Sequence, residues 1–152
     1  MALLMTPPLR SHWIDVLTQE TNTWLTLLSQ EEAQRVLRRS DLDRLLAVLQ
    51  AVPAGVRCSE QPGCDLDRVT AVFRAFYLSL FTTIAPQFER LHDPLLREKA
   101  RKTAASQIAR IYSAAHALVA LPASGFGSEQ EVGAILTHTP QEVCVLLNCP
   151  EV

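Results

Sequence analysis

The chain has 152 residues, enough for one globule that removes roughly 70% of its extended-chain surface from water. Hydrophobic residues at 48% and charged residues at 20% exclude wholesale disorder and a fibrous repeat. A net charge of −2 removes the overall basic field on which nucleic-acid or anionic-membrane binding draws.

The opening run Met1 to Met5 is too short for a signal-peptide core, lacks a basic flank and meets Pro7 and Pro8 at once, so secretion is not indicated. From Leu9 to Leu28 the apolar residues Trp13, Val16, Leu17, Trp24, Leu27 and Leu28 recur at helical intervals. They predict a first amphipathic helix whose stripe needs a partner. Ser29 with Glu32 has the spacing of a capping box and predicts that a second helix begins there. Ser40, Asp41 and Asp43 then restart it before Leu42, Leu45, Leu46 and Leu49. Pro53, Gly55, Pro62 and Gly63 make Val52 to Cys64 a surface loop.

Asp65 is placed to cap a helix rich in Leu66, Val69, Val72, Phe73, Phe76, Tyr77, Leu80, Phe81 and Ile84, apolar on more than one side and ended or kinked by Pro86. Asp93 and Pro94 pair a capping carboxylate with a preset φ at the next start. The helix that follows, to about Leu121, carries one stripe through Leu96, Ala100, Ala104, Ile108, Ile111, Ala115 and Leu118, with Arg97, Arg101 and Lys102 largely off it. Pro122 and Gly125 stop it. Ser128 with Glu131, and Thr139 to Glu142 with Pro140, open two short closing helices. The fold class is therefore all-α, an antiparallel helical bundle. Residues 1–52 read as N-terminal helices, 53–64 as a loop and 65–152 as a C-terminal bundle within a single helical region.

Catalytic chemistry finds no footing. No serine sits in a glycine-flanked elbow, no glycine-rich loop precedes a helix, and His12, His92, His116 and His138 lack the spacing that lets two imidazoles share a metal. Cys58, Cys64, Cys144 and Cys149 fall in two loose pairs unlike a zinc knuckle. They are expected as reduced thiols, with Cys144 packed on a helix and a Cys58–Cys64 disulfide open only to an oxidising compartment. The acidic pairs Glu31 with Glu32, Asp41 with Asp43 and Asp65 with Asp67 coincide with predicted helix starts. Neither cofactor nor metal is expected, and the apolar runs Ala75 to Phe88 and Ile111 to Phe126 are too short to span a bilayer. Candidate partner contacts are Trp13 and Trp24 as aromatic anchors, Arg97 and Arg101 as a basic helix face, and Thr139 and Pro140 at the last helix start.

From Leu91 to Leu147 the chain resembles the C-terminal end of the sixth subunit of the conserved oligomeric Golgi complex. The likeness is carried by "LHDPLLREKARKTAASQIARIYSAAHALV", by the Pro122 to Gly127 loop and by the closing "ILTHTPQEVCVLL", where Leu136, His138, Thr139, Pro140, Gln141, Val143, Leu146 and Leu147 occupy the family ending. Upstream of about Phe73 only helical periodicity is shared. The Exo70-like subunit of the exocyst ends similarly, but its expected basic end is missing here, since no Lys or Arg follows Arg110.

The resemblance implies the end of a helical rod that joins sister subunits and contacts SNARE proteins in intra-Golgi retrograde transport. It also implies a cytoplasmic protein peripheral on the Golgi membrane, with no catalytic residues and no nucleic-acid partner. The shortness of the chain against family members implies a fragment, an isoform or a divergent gene model. A free-standing helical adaptor that shares only a helix-start motif is the alternative.

Overall fold

The computed structural model describes residues 7–53, with side chains from residue 10, and residues 55–80, 90–121 and 125–148. Six α-helices follow in order among them: α1 Pro7–Ser40, α2 Leu42–Ala51, α3 Leu66–Ser79, α4 Pro94–Ala120, α5 Glu129–Ile135 and α6 Pro140–Leu147, with a 3-10 turn at Cys58–Glu60. No strand occurs among the described residues, and the architecture is an all-α helical bundle. Expectations that involve Phe81, Ile84, Pro86, Pro122 or Cys149 fall outside these residues.

The predicted helix boundary at Ser29 does not exist. α1 runs unbroken through it for 34 residues, and Ser29 is fully buried, with its Oγ 2.7 Å from the Leu25 carbonyl oxygen and 3.2 Å from that of Ala100. The hydroxyl proton serves carbonyls of its own helix and of α4, instead of the oxygen accepting from a free backbone N–H. Glu32 is buried as well and pairs with Arg35 at 2.7 Å, so Glu31 and Glu32 mark no helix start. No Gly or Pro lies between Pro8 and Pro53, and nothing in that stretch forces the chain to leave the helix.

The break comes at Asp41, which adopts the left-handed conformation with φ 60°. Its carboxylate does not cap α2 but accepts from Arg68 Nη2 at 3.0 Å, which ties the α1–α2 joint to α3. The other predicted starts behave as local chemistry dictates. Asp65 accepts from the Arg68 N–H, and Asp93 from the Leu95 N–H at 2.9 Å with Pro94 opening α4. Ser128 and Glu131 form a complete reciprocal capping box, and Thr139 Oγ1 accepts from the Glu142 N–H at 3.2 Å.

The core gathers Val36, Leu37, Leu42, Leu45, Leu46 and Leu49 from α1 and α2 against Val69, Val72, Phe73 and Phe76 of α3, Ile108, Tyr112 and Val119 of α4, and Ile135, Val143 and Leu147 of the closing helices. The apolar face of α3 is narrower than expected, because Leu66 and Leu78 are exposed. Cys64, placed by sequence in a surface loop, is fully buried, and burial, with Cys58 and Asp65 nearby, raises its thiol pKa. Cys58, Cys64 and Cys144 are free thiols, with Cys144 half-buried against the core from α6.

A second, smaller cluster joins the middle of α1 to the start of α4, where Leu25 meets the fully buried Ala100 and Ala104. Small side chains let the two helices approach closely enough for the Ser29 hydroxyl to reach a carbonyl on α4. An Ala104→Leu substitution is expected to force these helices apart and to cost about 1–3 kcal/mol, read as a lowered urea midpoint.

Candidate interaction surface

α1 carries two apolar stripes of different phase. Over its second half Leu25, Ser29, Ala33, Val36, Leu37 and Ser40 face the bundle and are buried. Between residues 10 and 24 no residue is buried, so about 20 Å of helix stands clear of the core. There the large apolar side chains lie elsewhere: Trp13 is 48% exposed, Ile14 56%, Leu17 58%, Trp24 53% and Leu27 57%. Trp13 and Trp24 are eleven residues apart, about 20° from eclipsed on a helix, whereas the core-facing sector continues as Asp15, Thr18, Asn22 and Thr26. The helix thus turns a polar side toward its own bundle and an apolar side outward. Large exposed aromatics on a rigid helix are the side chains that anchor protein partners.

The remaining candidates do not join the tryptophans. Arg97 is half-buried, and its Nε and Nη2 donate to the Leu91 carbonyl at 3.1 and 3.0 Å, which fixes the approach to α4. Arg101 is exposed and shares Glu98 with Lys102 at 3.8 and 3.9 Å, a solvated arrangement worth little in energy. Lys99 Nζ donates to Asn22 Oδ1 at 3.0 Å, on the polar side of α1.

Thr139 and Pro140 belong to a clasp that sequence reasoning did not foresee. The Tyr112 hydroxyl donates to the His138 carbonyl, and Tyr77 donates in turn to Tyr112 at 2.7 Å. The Tyr112 ring stacks on Phe76 with centroids 5.1 Å apart, and Tyr77 meets the His138 ring edge-on at 4.8 Å. His138 Nδ1 lies 3.2 Å from Glu142, whose carboxylate therefore does not return to the Thr139 N–H. Burial pushes both phenols up, which keeps the hydroxyls protonated and able to donate. The closing "LTHTP" segment is held from beneath by α3 and α4 and aims α6 back onto the bundle.

With this geometry in view, residues 2–147 match the family Conserved Oligomeric Golgi complex subunit 6, C-terminal. The chain belongs to this family. The conserved oligomeric Golgi complex is a Golgi tethering complex, and its subunit 6 belongs to a tethering, non-enzymatic family. The match extends well upstream of the Leu91 to Leu147 segment on which the resemblance first rested, and takes in α1 with its exposed tryptophans. No curated protein and no solved structure is significantly similar to the chain. Among the described residues no group of His, Cys, Asp or Glu is arranged to hold a metal, and no helix is long and apolar enough to cross a membrane.

Tyr112→Phe keeps the stacked ring but leaves the His138 carbonyl without its donor and the Tyr77 hydroxyl with only the longer contact to the Ile135 carbonyl at 3.4 Å. It is expected to cost about 1–3 kcal/mol in urea unfolding. His116, packed edge-on against Tyr112 at 5.9 Å, has its pKa lowered from 6.5 by burial. Its neutral form is the one the fold accepts, so the contribution is complete above pH 6.5 and is lost as pH falls toward the lowered folded value. Between pH 7 and 5 the urea midpoint of His116→Gln should fall less steeply than that of the parent protein.

Proposed function

We propose that this chain is an interaction module of the Golgi tether, acting in intra-Golgi retrograde transport by binding sister subunits through the N-terminal half of α1 and engaging SNARE proteins within the assembled complex. The observation that carries the reading is the outward stripe of Trp13, Leu17, Trp24 and Leu27 in a member of a tethering family. Trp13 and Trp24 act as anchors, because a half-exposed indole on a rigid helix can be desolvated without ordering a loop. Arg101 stays solvated beside Glu98, Arg97 holds the approach to α4, and Thr139 with Pro140 positions α6. Residues 1–152 act as one helical region, with 1–52 supplying the contact helices, 53–64 the connection and 65–152 the supporting bundle. The protein resides in the cytoplasm and meets the Golgi membrane peripherally, through its protein partners.

The test is binding of the purified chain to purified sister subunits of the complex, followed by biolayer interferometry. A Trp13→Ser/Trp24→Ser variant with unchanged helicity should bind at least about thirtyfold more weakly, the loss expected of a central aromatic anchor. Equal affinity for variant and parent would overturn the assignment of this face. Absence of binding by the parent chain would favour a free-standing adaptor.

A further inference from the structure

The outward residues of α1 follow a stricter rule than amphipathicity. Trp13, Leu17, Glu20, Trp24, Leu27 and Glu31 are separated by alternating steps of four and three residues, the spacing of a heptad seam. Four of the six are large and apolar, and all six are exposed. Beyond Glu31 the same seam continues as Gln34 and Arg38, so its apolar part ends after about two heptads, ~20 Å of helix. Resting on the reading of this face as a subunit contact, we infer that α1 receives one amphipathic helix of a partner subunit in heptad register, with a Lys or Arg opposite Glu20 and another opposite Glu31.

Charge selects that occupant. Glu20 lies between the apolar pairs Trp13–Leu17 and Trp24–Leu27, and among the described residues neither Glu20 nor Glu31 has an ion-pair partner. Covering the seam strips water from the Glu20 carboxylate, which is tolerated only if the incoming helix brings a cation to it. A second copy of this chain cannot do so. In parallel register Glu20 meets Glu20 and Glu31 meets Glu31; in the antiparallel register that sets Leu17 against Trp24, Arg10 reaches Glu31, but the two Glu20 side chains converge beside the two-fold axis with no cation between them. An anionic bilayer is equally unsuitable, because two carboxylates lie on the apolar face and the opposite side offers Asp15, Thr18, Asn22 and Thr26 in place of a basic flank. Glu20, set between the apolar pairs, thus admits a basic-seamed helix and opposes self-pairing.

The chain contains two tryptophans, and both lie on this seam, so their emission reports occupancy directly. Two synthetic 21-residue helical peptides with leucine at the seam positions are titrated against the whole chain, one with lysines and one with glutamates at two seam positions eleven residues apart. The lysine peptide should blue-shift the emission and bind at least tenfold more tightly than the glutamate peptide, with an affinity that falls as salt is added. A Glu20→Lys/Glu31→Lys variant of unchanged helicity should reverse the preference.

Equal binding of the two peptides, or no shift with either, would overturn the inference. A blue shift that grows with protein concentration alone, with a dimer mass in sedimentation equilibrium, would replace the partner helix by a second copy. A shift on phosphatidylserine vesicles would replace it by a membrane. Failure here is separable from failure of the tether reading. If the double Trp variant loses sister-subunit binding while Glu20→Lys/Glu31→Lys keeps it, the face stands and the partner chemistry falls; if both variants bind as the parent does, the face itself is wrong.

Discussion

The structure depends on the burial of Tyr112. Its ring lies flat against Phe76 and edge-on to Phe73, and its hydroxyl bridges Tyr77 of α3 to the backbone of the segment between α5 and α6. A phenol buried on this scale stabilises the fold by its apolar ring, and its one polar atom is tolerated because two partners satisfy it. The same contact therefore packs α3 on α4 and dictates where the closing helices sit. Without it the short α5 and α6, of seven and eight residues, would be too brief to persist on propensity alone.

A second constraint acts at the other end of the bundle. The alanines of α4 and the Ser29 hydroxyl bring α1 and α4 into close contact around Leu25, and the core face of α1 begins there. From residue 10 to residue 24 no side chain is buried, although Lys99 of α4 still reaches Asn22. The family to which the chain belongs works in an assembly of several subunits, and the proposed contact face lies on this arm. The outward tryptophans and the well-packed bundle are two halves of one arrangement, a rigid base and a presented helix.

Much of this was legible in the residues. Asp65, Asp93 with Pro94, and Ser128 with Glu131 announce helix starts because the capping interaction is local, made within three positions along the chain. Ser29 with Glu32 shows the limit of that logic. The same pair of residue types sits inside a helix when a neighbouring helix presents a carbonyl to the hydroxyl, and that neighbour is 71 positions away. The outward stripe of α1 was visible as periodicity, but its phase was not: Trp13–Leu17–Trp24 and Leu25–Ser29–Val36 both obey helical spacing, and only packing tells core from surface. The Tyr77–Tyr112 pair was hidden for the same reason, Tyr77 counting as one more apolar position and Tyr112 lying off the predicted stripe of its helix. Cys64 was misjudged because proline and glycine around it signal a loop, while the thiol itself points inward.

The unbroken run of α1 through Ser29 has a mechanical side. A pull applied to the N-terminal half of a continuous helix travels along the helix axis without a hinge to absorb it. The load arrives at Leu25, Ser29 and the alanines of α4 as sliding of one helix along another, in which several contacts must yield together, and not as peeling, in which they yield one at a time. A joint at Ser29 would have let the arm swivel and strip away turn by turn.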